Sequence, residues 1–130
     1  MTELAQKVRD EFLTDPKLLA RHLTKNQRKV IRKKEWTMQL FFGTALEKRV
    51  ALLAKNDDIL SNLKWTGTTN ASQDFYRMIG KKKFGFDITG GSRSSVLKHT
   101  KRKGIDAVIT YDSIPSSFGY DWLKMLKGVH

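Results

Sequence analysis

Lys83-Phe84-Gly85-Phe86-Asp87-Ile88-Thr89-Gly90 alternates between large apolar residues and small or polar ones. Successive side chains of a strand point to opposite faces, so Phe84, Phe86 and Ile88 share one face and Gly85, Asp87 and Thr89 the other. The first face is core. The second carries a carboxylate and a hydroxyl, with a glycine that leaves room for another group to approach the backbone. An isolated carboxylate is expensive to bury, so Asp87 needs a partner: a cation, a metal, or water at a cleft.

Working outward from this strand, Gly90-Gly91-Ser92 ends it, and Ser92 or Ser94 can cap a basic helix through Val96, Leu97, His99 and Arg102. Lys103-Gly104 closes that helix, and residues 106–111 read as another strand. Strand, helix and strand in about 25 residues predict a right-handed crossover with the two strands parallel. On the other side, Gly80 with Lys81, Lys82 and Lys83 reads as a hairpin turn leading into the central strand. Residues 74–78 have the aromatic content of a strand, with helix as the alternative, and 63–66 alternate like a short first strand. Tyr120 to Leu126 reads as a terminal helix.

The longest helical candidate runs from Trp36 to about Lys55 and is apolar over most of its circumference, which predicts a central position. Spaced at 100°, Leu40, Gly43, Thr44, Val50, Ala51 and Ala54 lie on the side of Glu47. Glu47 is therefore a carboxylate on a small, apolar packing face. Before it, residues 2–13 form an amphipathic helix with Leu4, Val8 and Phe12 on one stripe. Asp15-Pro16 signals a second helix, with the acid as cap, and Thr24 a third through Val30 and Ile31. This basic segment is either a solvated face or an appendage that binds nucleic-acid backbone.

The 130 residues suit one domain with a real core, and 39% hydrophobic with 29% charged residues describe a folded chain. No apolar run approaches the ~18 residues of a membrane span. The absence of cysteine excludes disulfides and thiolate metal sites. Twenty-five Lys and Arg against 13 Asp and Glu leave a net charge of +12. Such an excess favours a polyanionic partner, nucleic acid before a membrane surface or an acidic protein.

Glu47, Asp74 and Asp87, on separate elements, are the acids that could converge at a sheet edge. Oxygen ligands of that kind suit Mg²⁺, which could activate water and offset charge on a phosphate in transfer. Gly43-Thr44-Ala45-Leu46-Glu47, Ser72-Gln73-Asp74-Phe75 and Phe86-Asp87-Ile88-Thr89 together resemble the PD-(D/E)XK, restriction-endonuclease-like nucleases. The stretch from Phe86 through His99 and Arg102 to Thr110-Tyr111 is further similar to nuclease domains at the C-termini of bacterial polymorphic and contact-dependent growth inhibition toxins.

The resemblance implies an α/β, restriction-endonuclease-like core with a small mixed sheet flanked by helices over residues 36–130. A basic helical segment would precede it over residues 1–35. It implies Mg²⁺ or Mn²⁺ held by Asp74 and Asp87, with Glu47 as a further ligand or a base-orienting group. Gln73 stands where the motif has proline. Thr89 stands where it has lysine, a role that would pass to Lys98 or Lys101, with His99 close by. Lys81, Lys82, Lys83, Lys98, Lys101, Arg102 and Lys103 would contact nucleic acid, either tRNA or DNA. The toxin likeness also implies an acidic immunity protein, secretion as the end of a longer bacterial protein, and action in a target cell's cytoplasm.

Two other readings compete. His99 could serve as general base or acid on a ribose 2′-hydroxyl, with Lys101 or Arg102 stabilising the phosphorane in a metal-independent RNase. Alternatively, the basic surface could bind nucleic acid without cleaving it. Read with its neighbours, His99 falls in a run of cations expected on an exposed helix face.

Overall fold

The alternation at 83–90 becomes the longest strand of a mixed sheet. The computed structural model describes residues 1–33, 37–57, 62–65, 75–90, 92–115 and 117–118. The elements in order are α1 (Thr2–Thr14), α2 (Pro16–Arg21), α3 (Lys25–Lys33), α4 (Thr37–Ala54), β1 (Lys64–Trp65) and β2 (Phe75–Ile79). β3 (Lys82–Gly90), α5 (Arg93–Thr100) and β4 (Ala107–Tyr111) complete the series. The sheet order is β1-β2-β3-β4, with β3 antiparallel to β2 and parallel to β4. The expected 120–126 helix lies outside the described residues.

Local chemistry accounts for most of the boundaries. Ile79 pairs with Lys82, so Gly80 and Lys81 form a two-residue hairpin loop. Gly80 has φ +61° and no non-glycine residue has positive φ among the described residues, the pattern of a type II′ turn. Thr24 Oγ1 accepts the Gln27 N–H at 3.1 Å and Gln27 Oε1 accepts the Thr24 N–H at 2.8 Å, a reciprocal capping box that starts α3. Ser92, rather than Ser94, caps α5, accepting the Ser95 N–H at 3.3 Å. Asp15 occupies the cap position of α2 but its carboxylate makes no cap bond. Pro16, with φ already set for a helix, marks that start instead.

The core lies between α1, α4 and the Ile88 face of the sheet. Ala5, Val8 and Phe12 form one fully buried stripe on α1, and they meet Phe42, Leu46 and Val50 of α4 with Phe75, Ile109 and Tyr111 from the strands. The Phe42 ring stands edge-on to Phe12 at 5.5 Å and to Phe118 at 5.9 Å. Burying each such ring stabilises the fold by ~1.5–3 kcal/mol. The long helix is less uniformly buried than its sequence predicts, since Leu52 is half exposed.

Three polar contacts fix the edges. Arg9, on α1, donates from Nε to the Asp112 carbonyl at 3.2 Å and from Nη2 to the Ser113 carbonyl at 2.8 Å. Gln6 Oε1 accepts the Asp112 N–H at 2.7 Å, so the first helix holds the segment leaving β4. Asp106 brackets Gly85: its N–H donates to the Gly85 carbonyl at 2.9 Å and its Oδ2 accepts the Gly85 N–H at 2.8 Å. At the junction of α2 and α4, His22 lies 5.8 Å from the Phe12 ring. Burial, then the charges of Arg49, Lys48 and Arg21, lower its pKa below the ordinary histidine value.

Candidate active site

β3 delivers Asp87 and Thr89 to the face opposite the aromatic core, and α5 runs back across that face. Asp87 is fully buried. His99, near the end of α5, places Nδ1 2.8 Å from Asp87 Oδ2. Arg102 brings Nη1 to 3.4 Å of the same oxygen. The buried carboxylate thus has a ring N–H partner and a charged one, as burial requires. In the tautomer that donates from Nδ1 to Asp87, Nε2 on the far ring edge is the nitrogen left as acceptor.

His99 does not lie on an exposed basic face, as its neighbours suggest. Its side chain is only 18% exposed, whereas Lys98, Lys101 and Lys103 are exposed. Helical spacing separates them: the residue that faces β3 is flanked by residues that face water. Arg102, expected to contact phosphate, spans both settings, since its side chain is 45% exposed while touching Asp87.

A cleft of about 560 Å³ opens at the carboxyl ends of β3 and β4, where ligand crevices form in open α/β sheets. α4 contributes Gly43, Thr44 and Glu47, β3 contributes Ile88, Thr89 and Gly90, and α5 with its cap contributes Ser92, Ser95 and His99. Tyr111, Ser113 and Ile114 complete the wall. Glu47, Thr89 and His99, all singled out by sequence, therefore share one cleft, and Asp87 sits behind the histidine. Lys98 and Lys101, the substitutes for the motif lysine, lie outside the cleft lining. Asp74 lies outside the described residues. Ser95 and Ser113 have no functional place in the sequence reading, although helical spacing puts Ser95 at i−4 from His99; Thr44 is on the Glu47 side of α4, as its spacing predicts.

A Mg²⁺ or Mn²⁺ at this site would draw on Asp87 with Asp74, and Asp74 lies outside the described residues. Such an ion takes hard oxygen ligands with their charge available, and Asp87 Oδ2 already serves His99 and a guanidinium. No cluster of three acidic or histidine side chains suited to a metal forms among the described residues. Thr44, Glu47, Asp87 and Tyr111 each make further contacts. What the cleft presents is a carboxylate-oriented imidazole, an opposing carboxylate and several hydroxyls.

Compared with known proteins, the chain matches no family model, no curated protein and no solved structure. The described fold is mixed α/β, with a small mixed sheet and helices. No helix among the described residues is long and apolar enough to cross a membrane.

Proposed function

We propose that the chain is a nuclease that cleaves RNA by acid–base chemistry at His99. The observation that carries this reading is the 2.8 Å contact between His99 Nδ1 and buried Asp87 at the wall of a cleft. A histidine whose second nitrogen is held by a carboxylate has one tautomer and one orientation, which is what a general base needs. In this reading Nε2 takes the proton of a ribose 2′-hydroxyl. The 2′-oxygen attacks phosphorus, the P–O5′ bond breaks, and the departing 5′-oxygen takes up the proton that His99 holds, which returns the imidazole to its starting form. The products are a 2′,3′-cyclic phosphate and a 5′-hydroxyl. Glu47 and Tyr111 line the same cleft, and Arg102 with Lys101 and Lys103 draws the phosphate in.

RNA suits this chemistry because its nucleophile is internal, so no metal-activated water is required. The experiment is incubation of the purified chain with total tRNA and with plasmid DNA, each with EDTA or with Mg²⁺. The expected result is EDTA-resistant RNA cleavage leaving cyclic phosphate ends, with DNA intact. Cleavage lost in EDTA and restored by Mg²⁺ or Mn²⁺ would overturn it in favour of a metal held by Glu47 and Asp87.

A further inference from the structure

Beyond the cleft, the β2–β3 hairpin is an exposed stretch of the sheet. Residues 77–83 are all exposed, Met78 and Ile79 by about half (51% and 55%). From Phe75 to Phe86 the chain has no acid and four cations: Arg77, Lys81, Lys82 and Lys83. Pairing registers Tyr76 with Gly85 and Met78 with Lys83. By strand alternation these four share the face of Asp87, the face α5 covers further along. Lys83 Nζ lies 4.4 Å from the centre of the Tyr76 ring, and Lys64 of β1 pairs with Tyr76 from the other side. Opposite half-buried Tyr76 stands a glycine, so the β3 side chain that reaches the ring is the flexible Lys83, which covers one face of it.

We infer that this face is a platform for single-stranded RNA, with Tyr76 stacking a base and Lys64 and Lys83 gripping the phosphates beside it. An aromatic side chain between cations on an open sheet face is the arrangement that binds unpaired nucleotides without sequence preference. Position supports the same reading. Lys83 and Asp87 are four residues apart on β3, ~13 Å at strand rise. The cationic end of α5 lies alongside, because Asp106 ties the segment after α5 to Gly85. A strand laid on Tyr76 therefore continues past Arg102 to His99. Met78 and Ile79 beside three lysines would also suit an anionic membrane, but two apolar side chains bury little, and a membrane makes no use of the path to His99.

The inference rests on the nuclease reading and is tested apart from it, by binding in the His99→Ala full-length chain, which keeps the RNA whole. Fluorescence anisotropy with a short labelled single-stranded RNA should show Tyr76→Leu, which keeps apolar bulk without a π face, binding roughly tenfold more weakly or worse. Tyr76→Phe should bind like the parent. Lys83→Gln should lower the salt slope of binding by about 0.7. A fully paired RNA should be indifferent to Tyr76→Leu. Equal binding of single strands by the parent and Tyr76→Leu overturns the platform. So does binding to anionic vesicles in preference to RNA. Cleavage by the unmutated chain that ignores Tyr76→Leu also removes the platform and leaves the nuclease. Tyr76-dependent binding without cleavage removes the nuclease and leaves the platform.

Discussion

Of two hollows among the described residues, the larger is the less promising. The groove along α1 encloses about 1060 Å³ and is lined by five carboxylates, Glu3, Asp10, Glu11, Asp15 and Asp112, against Lys7. The His99 cleft is about half that size (560 Å³) and adjoins the cationic α5. Tyr111 borders both. In a chain of net charge +12, acids gathered in one hollow repel phosphate there and leave the α5 side as the attractive one. Volume ranks the two one way; charge and an oriented imidazole rank them the other. Charge decides, because an anionic substrate feels the local field before it meets a shape.

The sharpest way to break this contrast is His99→Ala. RNA cleavage should fall by ~10²–10⁴-fold with the circular dichroism spectrum unchanged. Retained cleavage would move the chemistry out of the smaller cleft. Next is Asp87→Asn, which keeps shape and removes charge. Breaking a buried pair can cost 3–5 kcal/mol, but half-exposed Arg102 can turn to solvent and His99 can stay neutral. Denaturant melts should therefore show a loss of ~1–3 kcal/mol, with cleavage reduced because the imidazole has lost the group that orients it. If stability and cleavage both match the parent, the pair is incidental.

Smaller effects belong to the larger groove. Glu3→Gln combined with Asp15→Asn should leave cleavage within about twofold of the parent, since exposed charges contribute little energy. A steep loss in a tRNA cleavage assay would instead make the acidic groove functional. Smallest is a pH effect at His22. Its folded pKa lies below the ordinary value, so the unfolded chain binds the extra proton and stability falls as pH drops below the ordinary histidine range. Thermal melts at neutral and mildly acidic pH should show His22→Gln losing less on acidification than the parent.

Much of the fold was legible in local sequence. The Gly80 hairpin, the Pro16 helix start, the Thr24 cap and the alternation of β3 are each decided by neighbours within four residues, and each stands as read. The site was legible only in part. Glu47, Thr89 and Asp87 were flagged because a polar group interrupts an apolar pattern. The link of His99 to Asp87 was not, because a crossover brings together residues 12 apart, and a run of cations gives no sign of which one turns inward. Tyr76 gave even less warning, since an aromatic in a strand reads first as core. Arg9 was silent too: nothing in α1 names the carbonyls its guanidinium reaches.

That guanidinium closes a loop of 104 residues between Arg9 and Ser113, and Ser113 with Ile114 forms part of the wall facing His99. α1 is also seated on Phe42, Leu46 and Val50 of α4, so the guanidinium adds a second, distant attachment to a helix already docked. Closing so long a loop adds only ~0.6 kcal/mol for each doubling of its length, so the span itself costs little. Arg9 therefore couples the seat of the first helix to the shape of the wall that shares the cleft with His99.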